Sequence, residues 1–447
     1  MKVARLGKLP YLLTDRYSVD RAGMKTLFII CCLLSSGLLG ARGGTLVVHE
    51  WGTFTSLQDE AGNAIGGLNA DDEELPAFTH DLAPWFGSFG PNARLRSKGA
   101  PRCCPDVTMR LETPVIYFHP KGVWAGTVDV HVDFLHGLLT QFYPTALFPH
   151  NASFGGITPQ TEGWLTWKSV SLGGTGDVPK TDAQVWTAPR AVGSALVTTP
   201  EGEREKFLFY RGVGNLDSPL RVTRSSGGRL QIRSQFGFES ADPMTVSELW
   251  LAEFRDGGKC AFRALEPLSG QPASVSTQGS FAEEDFTTGN LSLLRTAMQT
   301  ALVRDGLYPD EAAAVLNTWE LSYFKSGGMR LFFLVPRAWT DHFLPLQISG
   351  QTDITRVMVG RIELVSPNQR AALSRLSIAP SRQDYLAPGC FRGQLSPYLM
   401  DAFHSQKDYL ALGRFRAALL LDEEKHRPSE TLEALLSENG LPIPSLP

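Results

Sequence analysis

Between Met109 and Ser276 the chain is a succession of short β-prone runs, and that succession limits the fold more than any other feature. The runs are LETPVIYFHP, TVDVHVDFLHGLLTQFYP, EGWLTWKSVSL, AQVWTAPR, EKFLFYRGVG, PLRVTR, GRLQIRSQ, VSELWLAEF and KCAFRAL, with Gly or Pro in nearly every gap. Strands that follow one another without helices predict a mostly β fold with an antiparallel, sandwich-like core. One more strand precedes them, Thr45–Ser56, TLVVHEWGTFTS. Side chains alternate along a strand, so His49 shares a face with Val47 and Trp51, and Glu50 shares the other with Leu46 and Val48. If both faces are covered, a buried His49 or Glu50 must find a partner. The two cannot face one ligand unless a bulge re-aims one of them.

The pattern changes near Glu283. Leu291, Leu294, Met298, Ala301 and Leu302 predict a helical face that Gly306 can end. Pro309 opens a second helix with Ala312, Val315, Leu316, Trp319 and Tyr323 on one side. Two strong strands follow, Met329–Val335 and Arg356–Val365, and Ser366-Pro367-Asn368-Gln369 is a capping box. Further helical patterns lie at Pro397–Phe403, Tyr409–Leu421 and Glu430–Glu438. The expected organisation is an N-terminal extension over 1–43, a β-rich sandwich-like domain over 44–280 with a long loop at 57–106, and an α+β segment over 281–447 packed on it.

Within the extension, Met24 begins MKTLFIICCLLSSGLLGARGG: Lys25, then an apolar run Leu27–Leu39, then small residues. That order predicts a secretory signal peptide cleaved between about Leu39 and Thr45, a translation start at Met24 or Met1, and a secreted or periplasmic product. The run is short for a membrane span, and no other span is expected. Seven of the 42 basic and two of the 46 acidic residues fall in 1–43, leaving 35 against 44, a net charge of −9. An acidic remainder argues against nucleic acid as a partner. In an exported chain Cys103, Cys104, Cys260 and Cys390 are disulfide candidates, the adjacent pair each reaching a distant partner.

No HExxH, GxSxG, P-loop or strand-linked GxGxxG occurs, so no cofactor is indicated. What remains is a set of ionisable residues inside apolar strands. Arg211, Arg361, Glu50, Glu112 and Glu363 predict a buried ion network, with Arg361 and Glu363 sharing a face. His49 or Glu50 with Glu112, His119 and Arg211 forms the candidate catalytic set.

The blocks VVHEWGTFTS, LETPVIYF, EKFLFYRGVG and VMVGRIELVSP resemble those of an uncharacterised family of exported bacterial proteins. The resemblance implies export and one shared architecture, and carries no activity, cofactor or site residue. Two functional expectations follow. One is a non-catalytic binding or envelope-interaction module that presents loop 57–106, with Trp85 and Phe86, to a small molecule, glycan or envelope protein. The other is an exported metal- or carboxylate-dependent hydrolase centred on His49 or Glu50.

Overall fold

In the computed structural model, residues 45–438 are described apart from 70–74, 83–95, 98–99, 102–103, 123, 125, 150–155, 236–243, 271–272 and 379–404. The signal-peptide reading, Cys103, Cys390, the Pro397–Phe403 helix, and Trp85 and Phe86 lie outside the described residues. The fold is mostly β, with a large mixed sheet and a helical C-terminal part.

The strands that position the site are β1 (Thr45–Gln58), β2 (Met109–Lys121), β3 (Thr127–Leu135), β4 (Gly137–Tyr143), β5 (Glu162–Leu172), β6 (Leu208–Gly214), β7 (Leu249–Phe254), β8 (Cys260–Leu265), β9 (Gly328–Leu334) and β10 (Thr352–Leu364). Their order across the sheet is β5-β4-β6-β2-β1-β10-β9-β7-β8, with β3 paired to β5. β1 lies in the middle. It runs antiparallel to β2 and parallel to β10, and every residue after Thr45 is buried. A strand covered on both faces loses the polar–apolar alternation of a half-exposed one. The parallel pairing needs a long return, and nearly the whole chain supplies it. The 281–447 segment thereby enters the sheet through β9 and β10, beside β1.

Two apolar clusters cover the two faces. One gathers Leu46, Val48, Ile116 and Phe118 with the inward row Val128, Val130, Val132 and Phe134 of β3. The other gathers Trp51, Val115 and Tyr117 with helices α2 (Gly289–Arg304) and α3 (Pro309–Thr318), whose Leu294, Met298, Ala301, Leu302, Ala312, Val315 and Leu316 form the expected stripes. Each of the larger side chains, Leu, Ile, Val, Met and Phe, contributes about 1.5–3 kcal/mol by leaving water.

Between Trp51 and Thr53 the β1–β2 register slips, and Thr113-Pro114 bulges opposite Gly52. A Cβ at position 52 would sit 2.9 Å from Pro114 Cγ and 3.0 Å from its Cα, so the close approach requires glycine there. Thr113 takes a left-handed φ of 48° in that bulge.

One run corrects the reading of the sequence. AQVWTAPR is not a strand: Gln184–Arg190 is a helix, α1. It buries Val185 and Trp186 against the second cluster, and the Trp186 indole donates to Glu205 Oε2 at 2.7 Å. Tertiary burial of one indole outweighs a weak β preference. The capping box after β10 is present: Ser366 N donates to Gln369 Oε1 at 2.9 Å, and Gln369 N to Ser366 Oγ at 3.2 Å.

Candidate functional site

Adjacent residues on β1 go to opposite sides of the sheet, and both are buried. Glu50 is fully buried on the β3 side. Its Oε1 accepts from Tyr210 Oη at 2.5 Å, and its Oε2 accepts from Arg356 Nε. Arg356 is its register neighbour on β10 and also donates from Nη1 to Asp341 Oδ1 at 2.9 Å. Burial works against the Arg356 charge, but Glu50 overcomes it and holds the guanidinium above its ordinary pKa. Burial and then the Glu50 charge push the Tyr210 phenol well up. Glu50 is thus held in a buried ion pair, with one oxygen on Arg356 and the other on Tyr210.

His49 faces the helices. Its Nδ1 stands 2.7 Å from Glu311 Oε2, and His119 Nε2 stands 2.8 Å from Glu311 Oε1. β1 and β2 place the two imidazoles diagonally on one face, since His49 is opposite Tyr117 and His119 opposite Val47. Glu311 comes from the first turn of α3. There its Oε2 also accepts from Tyr308 N at 2.7 Å, which fixes the carboxylate at the helix start. Burial would raise the Glu311 pKa, but bonds from His119, His49 and Tyr308 N hold it below 4.5. The Tyr308 ring lies over both imidazoles, at centroid distances of 4.5 and 4.8 Å, and is 38% exposed. Among the described residues, His49, His119 and Glu311 form the one group of His, Cys, Asp or Glu side chains that could hold a metal ion.

The structure therefore brings His49 and His119 together and leaves the other candidates elsewhere. Glu112 shares β2 with His119, seven residues away, on the order of 20 Å along the strand. It pairs with Arg110 at 2.8 Å. Arg211 Nε donates to Gln141 Oε1 at 2.5 Å. Of the five expected network members, Glu50 stands apart, whereas Glu112 and Glu363 both act on the Arg361 charge, and Arg110, the partner of Glu112, feels Arg361 and Arg211. Glu50 belongs with Arg356, whereas Arg361 Nε donates to Glu363 Oε1 at 2.6 Å and Arg330 Nε lies 3.0 Å from the same oxygen. Burial opposes the Glu363 charge, but Arg330 and Arg361 depress its pKa. Cys104 and Cys260 are free and buried, and burial pushes each thiol up to about 11. The two are not joined to each other, and the other candidates, Cys103 and Cys390, lie outside the described residues.

Glu311 is the residue that sequence reasoning missed. As an acid just after Pro309 it reads as a helix-start residue. The available signal was its place four residues before Val315, at the border of the apolar stripe.

A second feature lies at the other end of β1. A cleft of about 540 Å³ opens beside Gln58, lined by Asn63, His136, Asn215, Asp217, Arg221 and Gln235, with the buried Trp339 and Phe343 at its base. His136 is held at a left-handed φ of 64°, its ring 5.2 Å from that of Phe343. No helix of the described residues is long and apolar enough to cross a membrane.

No family model and no curated protein matches this chain. Among solved structures, it is similar to the Fcho1 Mu homology domain of Danio rerio with bound Eps15 peptide, at 8% identity and a TM-score of 0.30, over 73% of this chain and 98% of that one. It is also similar to the yeast delta-COP-I mu-homology domain complexed with Dsl1 WxWxV peptide, at 6% identity and a TM-score of 0.25, again over 73% and 98%. Scores this low carry no conclusion about ligand or activity.

Proposed function

We propose that this protein is a non-catalytic binding module whose ligand is a small, polar, uncharged molecule, a glycan before any other class. The observation that carries the reading is the cleft at the end of β1. Its volume falls in the range of small-molecule sites, roughly 300–1,000 Å³. Its rim offers amides, an imidazole and one charge of each sign, Asp217 and Arg221. A balanced, amide-rich lining suits hydroxyl groups better than phosphates, and the aromatic side chains Trp339 and Phe343 in the lining suit an apolar sugar surface. Arg221 already donates to the carbonyl of Ala61 at 2.9 Å and to Asn63 Oδ1 at 2.9 Å, which ties the rim together. Asp217 is exposed and is the acceptor to test.

Isothermal titration of the full chain with neutral oligosaccharides, cello- and N-acetylglucosamine oligomers among them, tests the reading. Binding that Asp217→Ala weakens at least about tenfold, or 1.4 kcal/mol, is expected. No binding by the wild type, or equal binding by the variant, would overturn it. Export, on the strength of the Met24 segment and the shared blocks, remains part of the proposal. Mass analysis of the protein from its host checks it, and a mature chain still carrying Leu27–Leu39 contradicts it.

A metal-dependent hydrolase is the second reading. The meeting of His49 and His119 favours it, and hydrolysis of a substrate by zinc-loaded protein would establish it.

A further inference from the structure

We propose that His49, His119 and Glu311 form a binding site for one divalent transition-metal ion, zinc in the first place. The site stands apart from the cleft, at the other end of β1, and does not depend on the glycan reading.

The donor set comes first. Two imidazole nitrogens and one carboxylate oxygen are the set that borderline ions of the zinc group prefer, and three protein ligands leave a fourth position open. The three donor atoms lie within 4.8 Å of one another. A tetrahedral ion with bonds of about 2.0–2.1 Å holds its ligands roughly 3.4 Å apart. The imidazoles meet different oxygens of Glu311, Oε2 at 2.7 Å and Oε1 at 2.8 Å, so whichever oxygen ligates must move away from its own imidazole by roughly 0.6–0.7 Å.

Charge is the second argument. Of the buried glutamates, Glu50, Glu112, Glu205, Glu363 and Glu423 each face an arginine, and Glu424 accepts from the backbone N–H of Ser429. Glu311, with no exposed surface, is met by two imidazoles instead. A fixed guanidinium fills the place of a cation permanently. Imidazoles, unlike a guanidinium, have ring nitrogens that can ligate a metal, so a divalent ion can take the place the arginine holds elsewhere.

Support and access are the third. The ligands sit on the two central strands and at a helix start, all elements fixed by other contacts, so the set is held ready without a ligand. The Tyr308 ring, 38% exposed, packs on both imidazoles, and the His119 side chain is itself 12% exposed, so the group borders solvent.

The test is titration of the chelator-stripped full chain with zinc ion alone, by calorimetry. One zinc per chain is expected. Loss of a second-shell partner alone costs 10–100-fold in affinity, so His119→Ala and Glu311→Gln, which remove direct ligands, should cost at least about 100-fold. His131→Ala should leave binding unchanged, since His131 bonds to Thr166 and Asp133 outside the group. Wild-type protein that takes up no zinc would overturn the proposal, as would His119→Ala and Glu311→Gln that bind as the wild type does. Should the variants fail to fold, X-ray absorption of the zinc-loaded wild type decides. A first shell of nitrogen and oxygen with imidazole outer scattering supports the site, and sulfur in the first shell overturns it.

Discussion

Glu50 and Glu311 are both fully buried glutamates in the middle of the molecule, and they are finished in opposite ways. Glu50 receives an arginine and a phenol, so its charge is cancelled by a group that never titrates. Glu311 receives a backbone N–H and two imidazoles, and the imidazoles are side chains of a type that also ligates metals. Burial alone therefore does not mark a functional acid. The identity of its partner does.

Breaking the Glu50 side should produce the largest effect. Arg356→Met leaves a buried carboxylate with only Tyr210, and should cost roughly 3–5 kcal/mol in urea unfolding. Combining it with Glu50→Gln should recover much of the loss. A cost below about 1 kcal/mol would mean that water reaches Glu50.

The Glu311 side should respond to a ligand where the Glu50 side does not. Zinc at 100 times its dissociation constant should stabilise the wild type by about 2.7 kcal/mol. Glu311→Gln should remove that gain. A gain that survives the substitution places the metal elsewhere.

How far the sequence revealed this contrast depends on distance along the chain. β1 was legible because Val47, Val48 and Trp51 are β-prone and the segment is short. The two helical stripes and the Ser366 capping box were legible because each signal lies within one turn or two. His49 and His119 were both singled out, yet what joins them was hidden. Glu311 lies 262 residues from His49, and nothing local says that α3 begins over the β1–β2 pair. Arg356 was missed as the partner of Glu50 for the same reason, since the parallel β1–β10 pairing spans 306 residues. The α1 error was of another kind: AQVWTAPR is too short for its periodicity to outweigh its composition, and burial of Trp186 decided it.

A smaller effect separates the arginine-held acids by pH. The folded-state pKa of Glu363 lies below its ordinary 4.5. The stability it contributes is therefore present above about pH 4.5 and lost as pH falls through the lower folded value. Urea unfolding from pH 7 to 3 should show stability falling in acid. Glu363→Gln, weaker at neutral pH, should fall less steeply, by up to about 1.4 kcal/mol per pH unit for the one proton removed. Parallel acid profiles for the two proteins would remove Glu363 from the account.

The smallest effect is expected at the cleft. Asp217 is exposed, so Asp217→Ala should leave unfolding stability within about 0.5 kcal/mol of wild type. A larger loss would make Asp217 part of the framework and not of a binding rim.

The contrast between the two glutamates is tested most directly by a crystal structure of the protein grown with zinc, with anomalous data collected on both sides of the zinc edge. The account predicts one anomalous peak among His49 Nδ1, His119 Nε2 and Glu311, with Glu50 still bonded to Arg356 and Tyr210. A zinc ion on Glu50 or Glu112, or no peak beside Glu311, would contradict it.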